Sequence, residues 1–230
     1  MCQKYFTNKK YGILVGIPYL VRYNTFLCNT NKIYCSPIGY LMIYLETVTS
    51  RLCKRRDMLP RRANYIWKIE SGVVRSLTWT EDGQIICSGL WAEGDVIGGE
   101  LSNLHPYEME CLTDVQLTEI PRSNWGDYIN EIIRHNQTNE FLLKIAHCRS
   151  KDDAVRQLLA WLTNRFGEDD RNGKLIGLQL THQEIAELIG STRVTVTRII
   201  NDLEKIGFVS RKGRKLLFLS DLSEQWHYEI

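Results

Sequence analysis

Residues 181–206 constrain this chain more than any other stretch, because they describe two amphipathic helices joined by a single glycine. In Thr181-His182-Gln183-Glu184, the threonine suits a helix N-cap and the glutamate three positions later completes a capping box. Ile185, Leu188 and Ile189 then form one apolar face, and Ala186 leaves room for a neighbouring helix. Gly190 permits the sharp turn that a tight helix pair needs. A second helix is expected from Thr192 to about Ile206, with Val196, Ile199, Ile200 and Leu203 turned inward.

The outer face of that second helix carries Arg193, Thr195, Thr197 and Arg198. Arginine can donate two parallel hydrogen bonds to guanine O6 and N7, and threonine offers a methyl to thymine or a hydroxyl to phosphate. Such side chains on the first turns of the second helix are how a helix-turn-helix enters the major groove. Phe208-Val209-Ser210 and Leu216-Leu217-Phe218-Leu219 flank a basic turn containing Arg211, Lys212, Arg214 and Lys215, which predicts a two-stranded wing placed to meet phosphates. The expected DNA contacts are therefore Thr181, His182, Ser191, Thr192, Arg193, Thr195, Thr197, Arg198, Arg211, Lys212 and Arg214. Net charge is only +2, so binding must rest on this local patch; Glu168, Asp169, Asp170, Glu224 and Glu229 cancel much of it in the sum.

Upstream, the texture is of short strands. Tyr65 to Ser71 alternates and stops at Gly72, Val73 to Trp79 is a second β-rich run, and Glu81-Asp82-Gly83 signals a hairpin. Ile85 to Trp91 returns, Gly94-Asp95 turns again, and Cys111 to Ile120 supplies a last strand. This spacing predicts a small barrel or roll rather than βαβ units. Helical periodicity follows from Asn124 to Cys148 through Ile129, Ile132, Ile133, Leu142, Leu143 and Ile145, with a polar break at Asn136 to Asn139. Ala154 to Phe166 reads as a strong helix closed by Gly167, and Glu168 to Gly173 as an exposed loop. The expected organisation is an N-terminal extension of unclear structure over 1–50, a small barrel or roll over 51–123, a helical block over 124–150 and a winged helix-turn-helix domain over 151–230.

Several function classes are disfavoured. His105, His135, His147, His182 and His227 sit in no nucleophile or metal-ligand pattern, and no phosphate-cradling glycine loop occurs, which argues against an enzyme. Seven cysteines without a C-x-x-C pair argue for reduced cytosolic thiols, with neither cofactor nor metal expected. The competing reading is a redox or metal-responsive regulator drawing on Cys2, Cys28, Cys35 and Cys53. The apolar run Tyr11 to Val21 is about half the ~20 residues needed to span a bilayer, and no A-x-A-like cleavage site follows it. The expectation is a cytoplasmic protein without a membrane partner.

The residues Gly190-Ser191-Thr192-Arg193-Val194-Thr195-Val196-Thr197-Arg198 resemble the recognition helix of the CRP/FNR superfamily, most closely its cyanobacterial NtcA-type nitrogen regulators. Ile66 to Leu101, with Asp82-Gly83 and Gly94-Asp95-Val96-Ile97-Gly98, looks like the β-roll of the same superfamily. The resemblance covers roughly residues 52–222. It implies an α+β fold: a cupin-like, cyclic-nucleotide-binding-type sensor, a central dimerisation helix and a winged helix-turn-helix. The implied partners are double-stranded DNA with a palindromic site, a second copy of the chain and, for an activator, RNA polymerase.

Where other family members follow the first arginine with a glutamate that reads cytosine, this chain has Val194, so the resemblance points to a GTA…TAC-like palindrome. Cyclic-nucleotide binders of the family follow Gly-Glu-Leu with an Arg-Ser pair that holds the phosphate. Here Gly99-Glu100-Leu101 leads into Ser102 to Glu110 without an arginine, and with Glu108 and Glu110 facing any anion. The sequence therefore speaks against cAMP and leaves the small-molecule effector unknown; Glu100 and His105 remain the ligand candidates, against plainer readings as a turn residue and a surface histidine.

Overall fold

The computed structural model describes residues 34–35, 41–42, 50–213 and 215–219. The chain divides into two units, Met1–Thr47 and Val48–Ile230. In the first, β1 (Tyr34–Cys35) pairs antiparallel with β2 (Leu41–Met42). Apart from Ser50, which opens a strand of the second unit, the remainder of the expected N-terminal extension, including the apolar run Tyr11 to Val21, lies outside the described residues.

In the second unit, strand-forming runs rich in Val, Ile and Trp build two antiparallel sheets. The strands are β3 (Ser50–Cys53), β4 (Tyr65–Ser71), β5 (Val73–Trp79), β6 (Ile85–Ala92), β7 (Val96–Ile97), β8 (Glu108–Cys111) and β9 (Val115–Pro121). One sheet runs β3-β9-β4-β7 and the other β6-β5-β8. Trp67, Ile69 and Leu117 of the first sheet meet Val74, Trp91 and Met109 of the second in one core. The expected last strand, Cys111 to Ile120, is corrected to two: β8 joins β5, whereas β9 joins β3 and β4. The turn between them lacks the Gly or Pro that would have marked it. Gly72 closes the β4–β5 turn at φ +89°, and a Cβ there would stand 2.3 Å from the Asp114 carbonyl oxygen, so only glycine fits.

Strand β4 buries both faces, since Ile66 opposes Ile120 on the outer face and packs with Val96 beneath Trp125, Tyr128 and Ile132. Those covering residues come from a 3₁₀ turn, Arg122–Tyr128, and from α1 (Ile129–Ala146). The expected break at Asn136 to Asn139 is corrected: α1 runs straight through it. Asn136 donates to Glu140 one turn on at 2.8 Å, and His135 and Thr138 are buried by the roll rather than exposed. The periodicity also overstated the buried stripe. Leu142 and Ile145 are inside, whereas Ile129, Ile133 and Leu143 are 53%, 50% and 60% exposed.

After α1 come α2 (Lys151–Phe166), α3 (His182–Ile189) and α4 (Arg193–Lys205). Ser150 caps α2 by accepting from Asp153 N–H. The segment expected as a loop, Glu168 to Gly173, is instead a hairpin of β10 (Gly167–Asp170) and β11 (Gly173–Ile176). It extends the wing: β12 (Val209–Lys212) and β13 (Lys215–Leu219) belong to a four-stranded sheet, β10-β11-β13-β12, rather than the two-stranded wing expected. Leu158, Leu162, Ile185, Ile199, Ile200 and Phe218 pack into a core that also takes in Val73, Leu77 and Leu90 of the strands and Leu112 of the β8–β9 turn. No helix among the described residues is long and apolar enough to cross a membrane.

Candidate nucleic-acid interface

The helix pair forms as its sequence dictates. Thr181 Oγ1 accepts from Glu184 N–H at 3.2 Å, and Glu184 Oε2 accepts from Thr181 N–H at 2.6 Å, completing the capping box. Gly190 ends α3 in the left-handed region at φ 59°, and Thr192 caps α4 through Thr195 N–H at 3.2 Å. Ser191, half-buried in the turn, donates its N–H to Ala186 O at 2.9 Å. Ile185, Leu188 and Ile189 face Val196, Ile199 and Ile200 in the shared core, as their spacing predicts.

That packing leaves Arg193, Val194 and Arg198 exposed on α4, with Thr195 and Thr197 half-exposed beside them. Neither guanidinium enters a side-chain hydrogen bond or ion pair among the described residues, so both are available to a ligand. Thr197 is more committed. Its hydroxyl donates to Arg193 O at 2.8 Å and accepts from His182 Nδ1 at 2.8 Å. Burial lowers the pKa of His182, and the positive charges of Arg211 and Arg193 lower it further. Its neutral ring spends Nδ1–H on Thr197, which ties the first turn of α3 to α4. Thr181, His182, Gln183 and Arg193 together line an open cavity of about 370 Å³. Gln183 was not among the expected contacts, although it stands in the capped first turn, where helix N–H groups favour an anion.

The wing's basic residues are differently placed. Arg211 donates to Asn201 Oδ1 at 2.8 Å and lies 3.4 Å from Glu204 Oε2, so it braces β12 against α4. Lys212 pairs with Asp170, and Lys215 lies 3.8 Å from Glu168. The acidic hairpin thus sits directly against the basic strands, a pairing invisible in the sequence because 42 positions separate Asp170 from Lys212. Arg214 lies outside the described residues.

Two further side chains escaped the sequence reading. Glu187, on the inner side of α3, is 8% exposed and accepts from Arg75 of β5. An acid flanked by Ile185, Ala186, Leu188 and Ile189 was the available signal. Arg61, from the segment before β4, reaches Gly99 O at 3.5 Å, bringing a cation to the turn that carries no arginine of its own. Of the ligand candidates there, Glu100 lies in a 3₁₀ turn and His105 Nδ1 is 2.9 Å from Asn103 O. Among the described cysteines, Cys53, Cys87, Cys111 and Cys148 are free, and burial pushes the thiols of Cys87 and Cys111 up to about 12. No cluster of His, Cys, Asp or Glu that could hold a metal occurs among the described residues. Cys2 and Cys28 lie outside them.

A family model for the Crp-like helix-turn-helix domain matches residues 155–224, which takes in α3, α4 and the wing. The chain is 44% identical over 169 residues to the regulatory protein CysR of Synechococcus elongatus, covering 72% of this chain and 82% of that protein. The chain belongs to the CRP/FNR family of transcriptional regulators. A global nitrogen regulator of this family from Nostoc is 40% identical over 176 residues, covering 67% of this chain and 76% of that protein. The CRP/FNR architecture of roll and helix-turn-helix recurs in a CRP-family regulator from Thermus thermophilus, with a TM-score of 0.65 at 20% identity, covering 76% of this chain and 95% of that one. FixK2 from Bradyrhizobium japonicum gives 0.64 at 18% identity, covering 80% and 99% respectively.

Proposed function

We propose that the chain acts in the cytoplasm as a homodimer on palindromic double-stranded DNA, with residues 51–123 as sensor, 124–150 as dimerisation segment and 151–230 as reading head. The exposed face of α4 carries this reading: Arg193 and Arg198 stand in solvent there, and neither guanidinium enters a side-chain hydrogen bond or ion pair among the described residues. Arg193 is the base reader, suited to guanine O6 and N7. Val194, 79% exposed, offers a methyl to the C5-methyl of thymine, a combination that suits a GTA half-site. Thr181, His182, Ser191, Thr192, Thr195 and Thr197 position the helix on backbone and groove, and Arg211, Lys212 and Arg214 meet phosphates.

The likeness to a protein named as a global nitrogen regulator supports control of nitrogen assimilation genes, with sulfur assimilation genes the alternative, through RNA polymerase where the protein activates. We do not propose cAMP as effector. The turn that would hold its phosphate has Glu100 and no arginine within it, and Trp67, Trp91, Tyr107 and Met109 fill the interior of the roll. Selection of bound duplex from a random pool, followed by sequencing, tests the reading. Enrichment of a palindrome with GTA and TAC arms is the expected result; salt-sensitive binding without enrichment would overturn it.

A further inference from the structure

We propose that Arg75 of the sensor is a positioning residue for DNA binding, a guanidinium that holds α3, and through it the recognition helix, in one orientation. The proposal rests on the reading of α3 and α4 as the DNA-contacting pair. Arg75 lies on β5, in the sheet that packs against the helical domain, and its side chain is only 11% exposed. Its Nε and Nη2 donate to Glu110 Oε2 on the neighbouring strand β8, at 2.8 and 2.7 Å. The remaining arm, Nη1, crosses to the other domain and donates to Glu187 Oε2 on α3 at 2.8 Å. The second oxygen of Glu187 accepts from Gln183 Nε2 at 2.9 Å, and Gln183 lines the cavity shared with Thr181, His182 and Arg193. An unbroken series of hydrogen bonds thus runs from a sensor strand to the surface that would meet DNA.

The chemistry of the clamp explains why it would orient rather than merely attach. Apolar contact is non-directional, and the core around Glu187 already supplies it through Ile185, Leu188, Leu77 and Leu90. A hydrophobic residue at 187 would extend that core without the desolvation cost of a buried carboxylate, so the charge is poor evidence of stabilisation. A planar guanidinium engaging two carboxylates accepts only one arrangement of donors, and so specifies an angle as well as a contact. Burial works against the charge of Arg75, and the hydrogen bond and field of Glu110, aided by Glu187, more than offset it, so the clamp stays ionised. A second strut, Arg165 of α2 paired with Asp95 at the β6–β7 turn, fixes the same two domains at a point away from α3.

In a dimer on a palindrome, two heads must present their helices at one spacing, whereas a single half-site makes no such demand. The test compares affinities of the full-length protein for a palindromic duplex and for a half-site duplex, using R75K, R75E, E187R and the exchange R75E/E187R. Lysine keeps the charge but lacks the planar fork whose Nε and Nη2 hold Glu110 while Nη1 reaches Glu187, so R75K remains informative where R75E fails to fold. The expected result is a loss of about fivefold or more on the palindrome for R75K and R75E, with half-site binding retained. The exchange, which rebuilds one guanidinium between two carboxylates from the opposite side, should recover most of that loss. Palindrome affinity unchanged by R75K, or an equal loss on both duplexes that the exchange does not recover, would overturn the proposal. A wild-type protein that binds both duplexes alike would instead overturn the dimeric reading on which the clamp depends.

Discussion

His135 projects from α1 into the roll, its ring stacked on Trp91 at 3.8 Å between centroids and its Nδ1 2.9 Å from Val96 O. The carbonyl needs a donor, so Nδ1 carries a proton. Burial lowers its pKa below 6.5, against smaller opposing effects of the Val96 carbonyl and Asp95. Below pH 6.5 the unfolded chain takes up a proton that the folded one refuses, so stability falls as pH drops toward the folded value and is fully present above 6.5. Thermal unfolding temperature should therefore decline on acidification below pH 6.5 more steeply in the wild type than in His135→Phe, which keeps the stack and removes the titration. At the surface, Lys212 pairs with Asp170 while remaining largely exposed. An exposed pair is worth little, and a phosphate can take the lysine from it. Lys212→Ala should weaken binding to all duplexes alike and reduce the slope of log affinity against log salt by about one.

At the scale of elements, the helix-turn-helix is where local signals and tertiary structure agree. A Cβ added at Gly190 would meet nothing within 4 Å, and φ there is +59°, so Gly190→Ala tests conformation alone. It should cost about 1–2 kcal/mol in denaturant unfolding, with the midpoint shifted and the slope unchanged. The capping box, the two apolar stripes and the roll's first hairpins were legible because each is specified within one turn or one strand pair. What escaped depends on partners distant in sequence. Asn136 to Asn139 looks like a break until the roll buries His135 and Thr138, and Glu168 to Asp170 looks like loop until β11 and the lysines of the wing are beside it. Arg75 and Glu187 stand 112 positions apart, and no periodicity could join them. On the interface itself, the exposed positions Arg193, Val194 and Arg198 followed from the helical period, whereas the commitment of Thr197 to His182 required the fold.

Across the whole molecule, one core links the roll to the reading head, while α1 keeps Ile129, Ile133 and Leu143 out of it. Three apolar side chains on one exposed helix suit a second copy of the same helix, as a CRP/FNR-type dimer requires. Ile133→Glu should shift the protein from dimer to monomer in sedimentation and abolish the preference for a palindrome over a half-site, without loss of helical signal. If the first turns of α4 read bases, the same random-duplex selection carried out with wild type and with Arg193→Ala should distinguish the two proteins. The variant should bind about 1–3 kcal/mol more weakly, and its motif should lose information at one position in each arm, the rest of the palindrome persisting. An identical motif from both proteins would contradict this, and would move sequence recognition away from Arg193.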